Sequence, residues 1–262
     1  MRSFQVAAAA VLLAASAAAA HAQRPDDRRG PPDARGQQDA RGQHDARGRD
    51  ARDQRDAQQA QGRQLSAQEQ QLRIAEQRQR DEQYQARLNR QVAMAQRHGS
   101  DLQAQRRNAE YSAHQQYLQN LQEQRQRLQA QRDYSRDPAF TTAPTYRYRV
   151  GSAYHQTNQY GVDVLRQAVN NGYAQGVRYG QADRSDGQRP NYQASYAYRD
   201  ANYGYTGQYV AQSDYNNYFR EGFRRGYQDA YSGRAQYGNV STGTGTILGN
   251  VLSSILGLQP IR

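Results

Sequence analysis

No cysteine, tryptophan or lysine occurs anywhere in the 262 residues, and phenylalanine appears only four times. Without cysteine there can be no disulfide, thiolate zinc site, cysteine nucleophile or lipidated N-terminal cysteine. Without lysine, all 35 basic residues are arginine. Hydrophobic residues make up only 36% of the chain, which excludes one large apolar core. No apolar run reaches the roughly 20 residues that a membrane-spanning helix needs. In their place stand 41 glutamines, typical of solvated helices and low-complexity segments, and 21 tyrosines.

The first segment reads as an address. Met1 and Arg2 give a positive start, Val6 to Ala19 is alanine-rich and apolar, and Ala20-His21-Ala22 fits the small-x-small rule for signal peptidase. Residues 1–22 are therefore expected to be a signal peptide cut after Ala22, leaving an exported protein, periplasmic or extracellular and at most peripheral to the outer membrane. From residue 23 to 64 the chain is nearly all Asp, Ala, Arg, Gly and Gln, and the Asp33 to Gly36 unit recurs at Asp39 to Gly42 and Asp45 to Gly48. No aliphatic residue larger than alanine is available there to offset the entropy of ordering, so this segment is expected to be disordered.

The composition changes at Leu65. Ser66 followed by Glu69 is a capping box, the mark of a helix start. Leu88, Val92, Ala95, Gly99, Leu102, Arg106, Ala109 and Ala113 then step alternately by four and three, which is coiled-coil spacing. Residues 65–134 are thus expected to be helical and coiled-coil-like. Two forms fit: one continuous rod from Ser66 to Asp133, which the heptad running through Gly99 favours, or a hairpin turning at His98 to Asp101. The stripe would serve as a spacer or as a seam for self-association.

Residues 135–150, around Pro138 and Pro144, read as a linker. Beyond Asp133 lie 18 of the 21 tyrosines, and an internal repeat appears at an offset of 50 residues. Val169, Gly172, Tyr173, Gly176, Val177, Gly180 and Arg184 fall on Phe219, Gly222, Phe223, Gly226, Tyr227, Ala230 and Arg234. A small residue every fourth position beside a larger apolar one makes a groove and ridge on a helix. Interior glycine costs about 1 kcal/mol each relative to alanine, so Gly172, Gly176, Gly180, Gly222, Gly226 and Ala230 are expected to lie at a close helix contact. A period of 4.0 on a 3.6-residue helix limits that contact to about three turns and implies a steep crossing. Residues 151–235 are therefore read as a small Gly-aromatic helical domain, with a third, shorter helix between the copies. In residues 236–262, a Ser-Thr-Gly connector leads to a short apolar helix that could dock on its own domain, a partner or a membrane surface. The fold class expected is mostly α with extensive disorder.

No catalytic constellation stands out. The histidines lack a His-x-x-x-His or Glu-x-x-His pairing, and Gly243 to Gly245 lacks the ending of a phosphate loop. No metal or other cofactor is expected, and the chain reads as a non-enzymatic structural or interaction protein with an envelope partner still to be identified. The alternative starts from the net charge of +11. Arginine exceeds acid by 10 to 8 in residues 23–64, 11 to 8 in 65–134 and 13 to 8 in 135–262. In the last region Arg147, Arg149, Arg220, Arg224 and Arg225 alternate with aromatics, a composition suited to nucleic acid or an acidic envelope polymer.

The run from Tyr218 to Arg234, with the earlier Gly172-Tyr-Ala-Gln-Gly-Val177, resembles a motif that ends many uncharacterised exported bacterial proteins. The resemblance implies bacterial export and a helical repeat domain, and carries no activity or site residue with it.

Overall fold

The computed structural model describes residues 64–128, 132–240 and 245–261. The expected signal peptide and, apart from Gln64, the expected disordered segment lie outside the described residues. In chain order the helices are α1 (Ala67–Ala104), α2 (Asn108–Leu128), α3 (Pro138–Thr141), α4 (Gln159–Ser185), α5 (Tyr196–Asp200), α6 (Gln212–Ser232) and α7 (Gly249–Leu256). The strands are β1 (Tyr146–Val150), β2 (Ala153–Thr157), β3 (Gly238–Asn239), β4 (Thr246–Ile247) and β5 (Gln259–Pro260). The described chain is mostly α, as its capping box, heptad spacing and small-residue repeat predict.

Helix α1 begins where the capping box places it. Ser66 Oγ accepts from the Glu69 N–H at 3.3 Å, and Glu69 Oε2 accepts from the Ser66 N–H at 2.9 Å. The helix continues through Gly99, so the continuous rod is corrected and the hairpin form holds, with its turn later than His98 to Asp101. The chain reverses at Gln105 to Arg107, where Arg106 takes φ +58°. The Arg107 N–H donates to the Leu102 carbonyl at 2.9 Å, closing a Schellman-type end in which arginine holds the left-handed position that glycine usually fills. The compensation is tertiary. Asp186, at the end of α4, accepts the Ala109 and Glu110 N–H groups at 3.0 and 2.9 Å and so caps α2 from outside.

The heptad stripe is a core face. Leu88, Val92, Ala95, Gly99 and Leu102 are buried, with His114 and Gln115 of α2 lying against Gly99, whereas Arg106 is exposed. Tyr84, Leu88, Val92, Ala113, Tyr117 and Leu121 belong to the same apolar cluster as Val169, Tyr173, Phe219 and Phe223, so the expectation that the composition excludes one large core is corrected: tyrosine rings supply much of its volume. The seam expected to recruit a second copy is filled by the chain itself.

At the centre, α4 and α6 lie parallel. A Cβ built on Gly172, Gly176 or Gly180 would overlap the carbonyl oxygen of Phe219, Phe223 or Tyr227, and on Gly222 or Gly226 that of Val169 or Tyr173. Shifting by 50 residues turns the Gly172–Phe219 contact into Gly222–Val169 and the Gly176–Phe223 contact into Gly226–Tyr173. The sequence repeat is therefore a pseudo-twofold axis between two parallel helices. Glycine lets each backbone approach until a Cα–H faces the opposite carbonyl. The close approach on α4 runs from Val169 to Gly180, about three turns at 3.6 residues each. Parallel neighbours need a long return, and the chain between α4 and α6 supplies it with a 3-10 turn at Tyr192–Ala194 and with α5.

The presumed linker is ordered. Tyr-Arg-Tyr-Arg-Val at 146–150 alternates with period two, and it forms β1, antiparallel to β2 and β5 in the order β2-β1-β5. Tyr148 points inward at 4% exposure. The terminal helix α7 buries Leu256 and packs Val251, Leu252 and Ile255 against the same core, so it docks on its own domain.

Candidate functional site

Tyrosine outnumbers phenylalanine in this core for a chemical reason. A buried hydroxyl needs a partner, and here aspartate supplies it across long sequence separations. Tyr117 donates to Asp200 at 2.6 Å, Tyr148 to Asp214 at 2.7 Å, Tyr173 to Asp229 at 2.8 Å, Tyr227 to Asp183 at 2.5 Å and Tyr209 to Asp137 at 2.9 Å, while Tyr134 donates to Asp81. Asp229 also accepts the N–H groups of Gln236, Tyr237 and Gly238, which fixes the chain after α6.

One end of this network is strongly titratable. Arg107 pairs with Glu110 and, at 2.6 Å, with Asp183. Burial pushes Glu110 up from its ordinary 4.5 to about 7, against the pull of Arg107. Burial also pushes His98 down from 6.5 to about 4, aided by His114 and Arg199. His114 Nε2 lies 2.7 Å from the Ala95 carbonyl, which can only accept, so Nε2 carries the proton and Nδ1 faces the Tyr179 hydroxyl at 3.3 Å. Both histidines are therefore neutral near pH 7.

A prediction follows for Glu110, whose side chain is 1% exposed. Its folded pKa is raised, so the stability it contributes is complete below about 4.5 and is lost as pH rises through about 7. In Glu110→Gln, Arg107 keeps Asp183 and the ionisation cost disappears. Thermal melts should coincide within a few degrees at pH 5. At pH 8.5 the variant should be the more stable by about 2–3 kcal/mol, or several degrees. A constant difference across that range would place the Glu110 titration elsewhere.

The five arginines singled out by sequence lie on two elements. Arg147 and Arg149 project from the outer face of β1, Arg147 donating to Gln259 Oε1 at 2.6 Å beneath the Tyr154 ring and Arg149 to the Gly151 carbonyl at 2.7 Å. Arg224 and Arg225 share Glu221 at 3.3 and 2.6 Å. Arg220 donates to the Tyr198 and Arg199 carbonyls at 3.0 and 2.6 Å, closing the end of α5. All five are engaged within the chain.

Arg220 also reaches a cleft of about 820 Å³ that sequence reading did not anticipate. From α1 come Arg87, Gln91, Met94, Arg97, His98 and Asp101, the helix face beside the buried stripe. From α5 come Tyr196, Arg199 and Asp200, and from α6 Gln212, Ser213, Asn216 and Arg220. Four guanidinium groups face two carboxylates. Burial raises Asp200 from 3.8 to about 6, and neutral His98 adds no charge. The arginines come from three segments over 130 residues apart at the extremes, and each looks locally like one more surface arginine on a helix. The only sequence signal was the recurrence of Arg87, Gln91, His98 and Asp101, with the apolar Met94 among them, in step with the apolar heptad.

Among the described residues, no group of three or more His, Asp or Glu side chains is placed to hold a metal ion, and no helix is long and apolar enough to cross a membrane. Comparison with protein-family models, curated proteins and solved structures gives no match, so the functional reading rests on these residues alone.

Proposed function

We propose that this chain is an exported interaction protein of the bacterial cell envelope or extracellular space, periplasmic or extracellular and at most peripheral to the outer membrane, which acts by binding rather than by catalysis. The observation that carries the reading is the use made of the buried ionisable groups. Asp183, Asp214 and Asp229 are engaged by tyrosine hydroxyls, Arg107 or backbone N–H groups, so their chemistry is devoted to holding helices together. The N-terminal pattern ending at Ala22 supports export. In the native host, N-terminal sequencing of the protein from the periplasmic and culture fractions should begin at Gln23. Intact protein starting at Met1 and confined to the cytoplasm would overturn the export half of the proposal.

A second reading, binding of an anionic polymer, is favoured by the four arginines gathered around one open cleft. It differs from the sequence expectation in location, since Arg147, Arg149, Arg224 and Arg225 lie outside the cleft lining.

A further inference from the structure

We infer that the cleft between α1, α5 and α6 binds a unit of an acidic saccharide, with the anion held by Arg97 and Arg199 and a sugar hydroxyl donating to Gln212. The inference rests on the anionic-polymer reading and names its ligand and its place.

Three observations define the ligand. Arg97 and Arg199 are exposed on facing helices and make no hydrogen bond or ion pair through their side chains among the described residues, in contrast to Arg220, which is tied to backbone carbonyls. Free guanidinium forks suit a carboxylate or a sulfate. Second, Gln212 lines the cleft at 7% exposure, and its amide Nε2 donates to Asn202 Oδ1 at 3.0 Å while its Oε1 accepts nothing. A buried acceptor without a partner costs about 1–3 kcal/mol; Oε1 is closed off from solvent, so the Gln212 side chain must turn toward the cleft, where a neutral donor on the ligand would remove that cost. An anion that carries hydroxyls beside its charge meets both demands.

The third observation separates saccharide from nucleic acid. Sequence-tolerant binding of single strands uses exposed aromatic faces for base stacking. The one tyrosine of the cleft, Tyr196, is 7% exposed and already stacked on His98 with ring centres 5.4 Å apart, its hydroxyl donating to the Gln91 carbonyl. No platform is left for a base. Met94, 52% exposed at the rim, instead offers an aliphatic surface to the C–H face of a sugar ring. The volume falls in the usual range of ligand pockets, and the open side lets a polymer pass through.

The test is calorimetric titration of the mature chain with a hexameric oligogalacturonate. Maltohexaose, a short polyacrylate and a single-stranded DNA oligomer serve as comparison probes. Oligogalacturonate should bind, more tightly than polyacrylate, which carries carboxylates without hydroxyls, and maltohexaose should not. In Arg97→Gln/Arg199→Gln, whose side chains hold nothing in the fold, affinity should fall tenfold or more and the salt slope should flatten by about two. Gln212→Met should narrow the preference for oligogalacturonate over polyacrylate. Unchanged affinity in the double arginine variant overturns the cleft. If binding instead disappears in Arg147→Gln/Arg149→Gln or Arg224→Gln/Arg225→Gln, the anionic-polymer reading stands and the cleft falls. DNA binding tighter than oligogalacturonate through the same Arg97 and Arg199 overturns the saccharide, and failure of every acidic probe even at low salt overturns both readings.

Discussion

Gly176→Ala and Gly226→Ala are each expected to destabilise the fold by about 3 kcal/mol or more, although alanine is the better helix former by about 1 kcal/mol. The sign is decided by space. At both positions the added Cβ would overlap a backbone carbonyl, Phe223 O for Gly176 and Tyr173 O for Gly226. A carbonyl in a helix cannot rotate aside as the end of a side chain can, so α4 and α6 must separate along the whole contact. Separation loosens Tyr173–Asp229 and Tyr227–Asp183, which cross the same interface. Gly249, in the first turn of α7, has nothing within 4 Å of its Cβ position, and Gly249→Ala should melt at or slightly above the parent. Thermal melts of the mature chain decide this. A Gly226→Ala protein as stable as the Gly249→Ala protein would mean that the helices are not in backbone contact.

Cutting the chain at residue 135 should abolish cooperative folding of both pieces, and mixing them should restore it. The hairpin of α1 and α2 satisfies groups that belong to the other half. Gln124 Nε2 donates to the Asn202 and Tyr205 carbonyls at 3.0 and 2.8 Å, Tyr84 accepts from Asn202 Nδ2 at 2.9 Å, and Tyr117 donates to Asp200. Residues 135–262 alone would expose these partners along with the Tyr196 ring, which packs on His98, His114 and Tyr117, and the Tyr205 ring, which packs on Tyr84. Residues 64–134 alone would expose Leu88, Val92, Tyr117 and Leu121 to water, in helices too polar elsewhere to hold together. Circular dichroism of each fragment should therefore show low helicity, rising when the two are mixed in equal amounts. Helicity of 64–134 that rises with its own concentration would instead point to the self-association seam that the heptad suggested.

These two results turn on different kinds of information. The glycine rungs were legible in the sequence because a small residue every fourth position, repeated at a 50-residue offset, leaves little use except backbone contact, and each glycine in a helix interior needs a compensating gain. The start of α1 was legible for a similar reason, since Ser66 and Glu69 satisfy each other within one turn. The heptad on α1 revealed which face is buried, but its periodicity says nothing of whether the covering surface is a second copy or the chain's own α2.

What the sequence by itself determined is therefore local: helix starts, apolar faces, the glycine-lined contact and the tyrosine-rich character of the core. The tertiary structure decided the reversal at Arg106, where no glycine or proline announces a turn. Asp186, about 80 residues downstream in the chain, supplies the cap that makes arginine tolerable there. It likewise decided that Tyr146–Val150 is a strand, completed by Gln259–Pro260 from the far end of the chain, and that Arg87, Arg97, Arg199 and Arg220 share one cleft. The physical reason is range. Capping boxes, heptads and small-residue repeats act between residues a few positions apart, whereas a cleft wall or a borrowed helix cap depends on segments that only the packing of Tyr, Asp and Gly brings together.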